Sequence, residues 1–221
     1  MPEVIDDLQL NGLVIFRDTD GFAYGHDAVL LSNFARARRG ERFFDLGTGT
    51  GIIAILVHAK TGADFVACDI SERCCELARR SVEMNGLSEH ICVKKADIRT
   101  LSANEEGVFD GVVCNPPYYP AGTESDNMER RRSTFEESCT LMDAVSCAAR
   151  LLKNGGRLFI CYPAERLAPL CAALEEHKLP PKRIRLIRSR ADKPPYLVLI
   201  EARKNAHDGA VIEETILEHE V

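Results

Sequence analysis

The sequence predicts a doubly wound α/β fold with a seven-stranded sheet that ends in an antiparallel hairpin. From about residue 26 onward, short apolar strands alternate with helical patterns of roughly 10–15 residues, which indicates βαβ units and a mostly parallel sheet. A glycine cluster follows the first of these strands and opens a helix. The last two predicted strands have no helix between them, so they are expected to pair as an antiparallel hairpin.

Each predicted element rests on a local pattern. The first helix is predicted because Ala28, Leu31 and Phe34 recur at helical spacing. Ser71 and Gly86 are suitable caps for the two ends of the third helix. The predicted helices cover residues 26–38, 50–61, 71–85, 138–152 and a segment ending near residue 177. The predicted strands cover residues 42–46, 64–68, 91–93, 109–114, 157–162, 184–187 and 196–202.

Length and segment composition predict one domain with accessory ends. The 221 residues correspond to a single domain and a small extension, at roughly 150 residues per domain. Residues 1–25 are predicted as an N-terminal extension with short strands, residues 26–202 as the α/β domain, and residues 203–221 as a polar tail. The tail is rich in glutamate, which favours a weakly held segment or a terminal helix.

Composition narrows the functional classes. No apolar run approaches the ~20 residues of a membrane span, and the N-terminus has no signal-peptide pattern, so a cytoplasmic location is expected. The nine cysteines are odd in number and form no CxxC pair, so we interpret them as small buried side chains, and we expect neither disulfides nor a metal site. The net charge of −6 disfavours a purely electrostatic nucleic-acid binder, although a local basic face is compatible with it.

The glycine cluster reads DLGTGTG over residues 45–51. Glycines at a strand-to-helix turn let the backbone bend sharply and approach a ligand closely. A dinucleotide site would have a third glycine where Ile52 stands, and the Asp45 carboxylate would oppose a pyrophosphate. A ligand with an ammonium and a sulfonium group, such as S-adenosylmethionine (SAM), is compatible with that carboxylate. The alternative is a tight corner that binds no ligand.

Acidic residues follow the next two strands. Asp69 ends the second strand, where an acid in a doubly wound sheet reaches a ribose diol. Asp97 follows the third strand, where a carboxylate can accept a hydrogen bond from the amino group of an adenine. Either acid alone is more often a cap or turn residue, but together with Asp45 they would line one crevice at the carboxyl ends of the strands.

The fourth strand leads into CNPPYY over residues 114–119. The two prolines fix the backbone and remove two N–H donors, leaving a rigid run of carbonyl acceptors. The Asn115 side-chain oxygen and the Pro116 carbonyl can hold the two hydrogens of a planar amine, and Tyr118 offers a surface for stacking an extruded base. This arrangement suits in-line methyl transfer to nitrogen, with orientation supplying much of the catalysis. A plain Pro-Pro turn is the alternative.

These segments together resemble the class I SAM-dependent methyltransferases, and within them the amino-group enzymes that carry Asn-Pro-Pro-Tyr. Two further segments, GHDAVLL at residues 25–31 and KPPYLVLIEA at residues 193–202, resemble the tRNA1(Val) adenine-37 N6-methyltransferase family, as does YPAERL at residues 162–167. The resemblance implies a Rossmann-like class I fold, SAM as cofactor and a tRNA adenine as substrate. We also expect no membrane or metal partner, and a monomer or weak homodimer.

The resemblance and the motifs together assign roles to individual residues. The expected cofactor contacts are Tyr24, His26, Asp45, Gly47, Gly49, Thr50, Gly51, Asp69, Ile70, Asp97, Ile98 and Asn115. The expected catalytic residues are Asn115, Pro116 and Tyr118, and the further substrate contacts are Pro117, Tyr119, Arg131 and Arg132.

Three basic clusters offer a hypothesis for substrate phosphates. They are Arg36, Arg38, Arg39 and Arg42; Arg130, Arg131 and Arg132; and Lys182, Arg183, Arg185, Arg188, Arg190 and Lys193. If they share the rim of the crevice they can hold phosphates around a target nucleotide; otherwise they are solvated surface. The long polar segment 120–138 lies next to the proposed site in sequence and is the expected place for a lid.

Other acceptors remain open at this stage. Release-factor glutamine N5-methyltransferases use the same signature, but they usually carry a helical domain before the cofactor domain, and about 40 residues precede Asp45 here. Guanine N2 and cytosine N4 are planar amines that the same acceptors would suit. A binding protein that keeps the fold without catalysis is disfavoured by the intact Asn-Pro-Pro-Tyr run.

Overall fold

An antiparallel hairpin comes first in the chain. The structure is a computed structural model that describes residues 2–19, 25–116 and 139–220. Strands β1 (Glu3–Asp7) and β2 (Val14–Asp18) pair as a separate two-stranded sheet. A hydrogen bond from the Phe16 amide to the Ser81 hydroxyl (3.0 Å) connects the hairpin to helix α3 (Glu72–Met84).

The main sheet is built from seven longer strands. They are β3 (Arg42–Leu46), β4 (Asp64–Asp69), β5 (Ile91–Lys95), β6 (Phe109–Cys114), β7 (Leu152–Pro163), β8 (Pro181–Arg188) and β9 (Leu197–Arg203). Their spatial order is β5-β4-β3-β6-β7-β9-β8. The first five of these neighbours run parallel, whereas β9 is antiparallel to both β7 and β8. The doubly wound fold and the antiparallel terminal hairpin are therefore confirmed.

Helices cover both faces of this sheet. Besides α3 they are α1 (His26–Phe34), α2 (Ile52–Thr61), α4 (Ala103–Glu106), α5 (Leu141–Leu151) and α6 (Leu167–Glu176), with 3-10 turns at Ala164–Arg166 and Glu218–Glu220. One core packs α1, α2 and α3 against one face, and the other packs α5 and α6 against the opposite face. Successive residues of a strand pack in opposite cores: Phe43 lies in the first core and Phe44 in the second. None of the helices in the described ranges has the length and apolar character needed to cross a membrane.

Several element ends differ from the prediction. Helix α1 ends at Phe34, four residues before the predicted end. Helix α5 ends at Leu151, within one residue of the predicted end at residue 152. The predicted start of the next strand at residue 157 is wrong, because Asn154-Gly155-Gly156, which were expected to close the helix, belong to the start of β7. The Ser71 cap is confirmed, since its side chain accepts a hydrogen bond from the Cys74 amide.

The C-terminal segment is neither a helix nor a loose tail. Short strands β10 (Val211–Ile212) and β11 (Ile216–Leu217) pair in parallel with β8, so the sheet has nine strands in the described chain. The prediction of a terminal helix is wrong because β8 offers an open edge whose backbone groups this segment satisfies. The division into an extension, a domain and a tail remains a prediction.

Parallel pairing brings the sequence motifs to one edge. Strands β6, β3, β4 and β5 are consecutive neighbours and run in the same direction, so their carboxyl ends meet. The segments that follow them carry the Asn-Pro-Pro-Tyr motif, the glycine cluster and the two downstream acids. We refer to this side of the sheet as the carboxyl edge, and to the opposite side as the amino edge.

Candidate active site

The turn after β3 presents backbone amides at the carboxyl edge. Gly47, Gly49 and Gly51 have φ angles of 71°, 56° and 91°, a region that residues with a Cβ avoid. The Thr48 amide donates to the Cys68 carbonyl (2.8 Å), which ties the turn to β4. Gly51 is the N-cap of α2, so the first free amides of that helix point toward this edge.

Asp45 is fully buried just before this turn. Its Oδ2 accepts a hydrogen bond from the Thr48 hydroxyl (2.7 Å), whereas its Oδ1 has no hydrogen-bond partner among the described residues. Burial raises the pKa of Asp45 to about 7, although the Thr48 hydroxyl and the Ala54 amide lower it; the Asp69 charge raises it further. Because the Ala54 amide does not reach hydrogen-bond geometry with Oδ1, that oxygen can still accept from a cationic ligand.

Asp69 joins the ends of β3 and β4. It is 1% exposed, and its two oxygens accept hydrogen bonds from the amides of Gly49 and Ser71, both at 2.9 Å. Burial raises the pKa of Asp69, and these amide hydrogen bonds oppose that effect. Each carboxylate oxygen has a second lone pair. Asp69 therefore shapes the turn and retains acceptor capacity for a ribose diol, and the ribose role stays a prediction.

Asp97 follows β5 at the same edge and has a partner that the sequence analysis did not anticipate. The Arg99 guanidinium donates to both of its oxygens, from Nε to Oδ1 at 2.9 Å and from Nη2 to Oδ2 at 2.6 Å. This hydrogen bonding lowers the pKa of Asp97, so the carboxylate is ionised at neutral pH. Ile70, 39% exposed, and the half-buried Ile98 supply apolar surface beside the two acids. An adenine contact at these residues remains a prediction.

Strand β6 places Asn115 next to the glycine turn. Leu46 on β3 lies opposite Cys114 on β6, so Asn115 and Gly47 leave adjacent strands at the same level. Asn115 is two residues after Val113 and so continues the same face of the strand, and Val113 packs in the same core as helices α1–α3. Asp45 lies opposite Val113 in the register. The two motifs therefore meet on one side of the sheet.

The Asn115 amide is held by a thiol from β7. The Cys161 Sγ donates a hydrogen bond to Asn115 Oδ1 at 3.0 Å, and Cys161 itself is fully buried. Ile160 lies opposite Cys114, which brings Cys161 level with Asn115. The following Pro116 is buried. A carboxamide oxygen carries two lone pairs, and a contact of Asn115 Oδ1 with a target amine remains a prediction.

His26 begins α1 and contacts the C-terminal segment. Its Nε2 lies 3.2 Å from the Glu218 carbonyl oxygen and 4.0 Å from the Glu218 carboxylate. A cofactor contact at His26 therefore stays a prediction, and in this structure Glu218 is its partner. The whole of the proposed lid, residues 120–138, lies outside the described residues. So do the remaining predicted site residues: Tyr24, Pro117, Tyr118, Tyr119, Arg131 and Arg132.

The hypothesis that three basic clusters share the crevice rim is wrong for at least one of them. Arg42 begins β3, so the cluster at residues 36–42 lies toward the amino edge. Arg183 forms ion pairs with Glu201 (2.5 Å) and Glu213 (2.7 Å), which neutralise it within the fold. Arg188 ends β8, so the residues that follow it, including Arg190 and Lys193, emerge at the carboxyl edge. The Arg130–Arg132 cluster lies outside the described ranges.

The residues at the carboxyl edge fit SAM. Two buried acceptors lack hydrogen-bond partners within the described chain: Asp45 Oδ1 and Thr50 Oγ1. Unsatisfied buried polar atoms are rare in folded proteins unless a ligand completes them. An unpaired carboxylate oxygen suits the ammonium of SAM, a glycine turn permits close approach, and Asp69 suits the ribose. These carboxylate and hydroxyl oxygens therefore match a cationic nucleoside better than a pyrophosphate.

Comparison with known proteins agrees with this assignment. The family model of the methyltransferase small domain matches residues 25–177, more than half of the chain. The chain belongs to the methyltransferase small domain family. It is thus a methyltransferase. It is similar to the tRNA1(Val) (adenine(37)-N6)-methyltransferase of Parabacteroides distasonis, with 27% identity over 87% of this chain and 81% of the relative. The protein of the same name from Shewanella sediminis is 23% identical over 90% of this chain and 84% of the relative.

Solved structures confirm the class I fold of the methyltransferase. A predicted O-methyltransferase from Agrobacterium tumefaciens has a TM-score of 0.68 at 24% identity, over 86% of each chain. Geranyl diphosphate methyltransferase in complex with SAM has a TM-score of 0.56 at 13% identity, over 80% of this chain and 84% of that chain.

Sequence reasoning missed two polar partners in the methyltransferase. Cys161 was interpreted only as a small buried side chain, and Arg99 was not singled out. The alternating pattern of β7 places Cys161 on the same face as Phe159, but its contact with Asn115 follows only once β7 is known to lie beside β6. Arg99 is two residues from Asp97, a spacing at which a turn can close an ion pair.

Proposed function

We propose that this methyltransferase transfers a methyl group from SAM to the exocyclic N6 amine of an adenine in tRNA, at an anticodon-loop adenosine of a tRNA1(Val)-like substrate. The observation that carries the proposal is the placement of Asn115, the first residue of Asn-Pro-Pro-Tyr, level with Gly47 on the neighbouring strand. The names of the two bacterial relatives above support adenine N6 as the acceptor and tRNA as the substrate.

The chain supplies binding and orientation. SAM, when bound, supplies an electrophilic methyl group on a sulfonium. Asp45 pairs with its ammonium group, and Asp69 accepts from its ribose hydroxyls. Asn115 Oδ1 and the Pro116 carbonyl each accept one hydrogen of the target amine. Holding both hydrogens localises the nitrogen lone pair, which in a free adenine is delocalised into the ring, and directs it at the methyl carbon.

No strong base is needed before attack in this proposal. The amine is neutral at the outset; once the nitrogen–carbon bond has formed and the carbon–sulfur bond has broken, the cationic methylated nitrogen gives its extra proton to solvent water. Stacking of the extruded base on Tyr118 remains part of the hypothesis. An unpaired loop base is already partly unstacked, which suits an enzyme of this size.

Methyl transfer to a tRNA pool tests the proposal. The full chain is incubated with labelled SAM and total tRNA from cells that lack the corresponding activity, and the nucleosides are analysed by mass spectrometry. We expect a gain of N6-methyladenosine, and we expect Asn115→Ala to lower turnover by about 10²–10³-fold while cofactor affinity changes little. A gain of another methylated nucleoside would reject adenine N6, and labelling of a release factor or DNA instead would reject tRNA. Unchanged turnover in Asn115→Ala would refute the role of that side chain.

A further inference from the structure

Three metal-ligating side chains meet at the amino edge, away from the proposed active site. His58 is in the last turn of α2, Asp64 is the first residue of β4, and His90 directly precedes β5. One ligand atom from each residue lies within 4.8 Å of the other two. Over the described ranges this is the one group of three or more such residues that satisfies this distance.

His58 is oriented as a metal-binding imidazole usually is. Its Nδ1 donates to the Ala63 carbonyl oxygen at 2.7 Å, which leaves the lone pair of the neutral ring on Nε2. Metal-ligating histidines commonly donate their other ring N–H to a backbone carbonyl, because that bond fixes the tautomer and the ring plane. The half-buried His58 therefore does not need to give up a hydrogen bond to bind a cation.

His90 and Asp64 complete a nitrogen and oxygen donor set. His90 Nδ1 and Asp64 Oδ1 are 2.9 Å apart, and the two imidazole rings are stacked with centroids 4.6 Å apart. Ligand atoms around a tetrahedral zinc ion are separated by about 3.3 Å, given metal–ligand bonds of about 2.0–2.1 Å. The side chains of His90 and Asp64 are 51% and 49% exposed, so they can rotate to close the set without disturbing the core.

Two cationic side chains, Lys60 and Arg39, line the same cavity as His58. The Lys60 ammonium donates to Ser32 Oγ (3.2 Å) and to Asn33 Oδ1. The aliphatic part of Arg39 packs against Gly62, where an added Cβ would lie 3.2 Å from Arg39 Cγ. The Asp64 carboxylate supplies the negative charge that favours a cation.

We propose that His58, Asp64 and His90 form a binding site for a divalent transition cation of the zinc type, with water completing the coordination. Two imidazoles and one carboxylate select such a cation over Mg²⁺ or Ca²⁺, which prefer all-oxygen ligands. The site joins the C-terminal end of α2 to the beginnings of β4 and β5. The opposite ends of α2 and β4 carry Gly51 and Asp69, so the ion stabilises the half of the fold that bears the predicted cofactor contacts.

Metal titration of the untagged full chain tests this site independently of methyl transfer. Cys92 is an exposed thiol and a competing ligand, so the titrations use a chelator-treated Cys92→Ser protein as the reference. Calorimetry with Zn²⁺ is expected to give one ion per chain, and Co²⁺ is expected to give an absorption spectrum without thiolate charge-transfer bands. His90→Ala and Asp64→Asn are expected to weaken binding by roughly tenfold or more. His207→Ala, an exposed histidine elsewhere, is the matched control.

The variants His90→Ala and Asp64→Asn distinguish loss of metal binding from loss of folding. Both alter half-exposed side chains, and circular dichroism checks that each is folded. Equal affinity in reference, ligand variants and control would overturn the proposal. Failure of the reference protein to bind Zn²⁺ at millimolar concentration would overturn it too, as would thiolate bands in the Co²⁺ spectrum.

Discussion

At the scale of single residues, the contact between Asn115 and Cys161 determines how the proposed acceptor is presented. The amide oxygen of Asn115 is shared between the thiol and, in the proposed function, the target amine. This donor comes from a fully buried position and helps to fix which end of the amide faces the site. Cys161 is thus a positioning residue, because it acts on the substrate only through Asn115.

Replacing Cys161 tests this positioning role. Removal of one hydrogen bond costs about 1 kcal/mol, so Cys161→Ala is expected to lower kcat roughly fivefold to tenfold with little change in cofactor affinity. Cys161→Ser keeps a donor and is expected to restore most of kcat. Steady-state kinetics with tRNA and calorimetry with the cofactor provide the two readouts. If serine and alanine lower kcat equally, the thiol contributes packing alone.

Asp45 predicts a pH dependence of cofactor binding. Its raised pKa of about 7 means that the carboxyl is increasingly protonated as the pH falls below 7. Because a cationic ligand prefers the carboxylate, SAM affinity is expected to fall between pH 7 and pH 5.5, by at most about tenfold per pH unit. Calorimetry over this range measures it, with Asp45→Asn as the reference that cannot ionise. Equal pH slopes in the two proteins would contradict the assignment.

The same pKa also predicts how stability changes with pH. A carboxyl whose folded pKa lies above its ordinary value of 3.8 binds its proton more tightly in the folded state. Its contribution therefore lowers the free energy of unfolding as the pH rises from about 4 to about 7. Relative to Asp45→Asn, the wild-type chain is expected to lose stability across that range, as measured by urea denaturation.

At the scale of elements, the glycine turn is the best-predicted feature. The sequence indicated a sharp turn between a strand and a helix, and three glycines with positive φ form it. Local sequence suffices here because backbone conformation at such positions depends on the absence of a Cβ. By contrast, the predicted start of β7 at residue 157 was wrong, since glycines at 155 and 156 fit an irregular strand as well as a helix stop.

Gly51→Ala tests the strain at this turn. Gly51 has φ 91°, and an added Cβ would lie 3.4 Å from the Ala78 Cβ. A left-handed conformation costs an alanine about 1–2 kcal/mol, so the free energy of unfolding is expected to fall by about that amount. Gly25→Ala is the control, because Gly25 has φ −82° and an added Cβ there would meet only the Asp27 amide nitrogen, at an ordinary contact distance of 3.9 Å. Comparable losses in the two variants, measured by urea denaturation, would argue against strain at Gly51.

At the scale of the whole molecule, the C-terminal segment stabilises the far side of the sheet. Glu213 follows β10 and contacts Arg183 (2.7 Å), Arg185 (2.5 Å) and Arg36 (3.7 Å). These contacts connect the segment to β8 and to the chain after α1. They also explain why much of the predicted basic surface is neutralised inside the protein. Of the remaining basic residues, Arg188, Arg190 and Lys193 lie at the carboxyl-edge end of β8, where Arg190 pairs with the exposed Asp192 (2.9 Å). Phosphate contacts are therefore expected first from Arg188 and Lys193.

Glu213→Ala tests this long-range support. Removing the Glu213 carboxylate leaves the largely buried Arg183 with one ion-pair partner among the described residues, Glu201. The free energy of unfolding is therefore expected to fall by about 1–3 kcal/mol at pH 7. The hydrogen bond from Arg183 lowers the pKa of Glu213 below its ordinary 4.5. That stabilisation is present above pH 4.5 and is lost as the pH falls through the lowered value, so the difference from wild type shrinks in acid. Glu214→Ala, its exposed neighbour, is the control, and an equal effect there would contradict the assignment.

The sequence by itself determined the alternation of strands and helices, the glycine turn and the order in which polar residues follow the strands. These depend on local periodicity and on backbone preferences, and parallel connections then bring the strand ends to one edge. Only the tertiary structure decided which side chains meet: Cys161 with Asn115, Glu218 with His26, and His58 with His90. Such pairs depend on strand order and register between distant segments, which local patterns do not encode. The C-terminal strands were missed for the same reason, because their pairing depends on the open edge of β8.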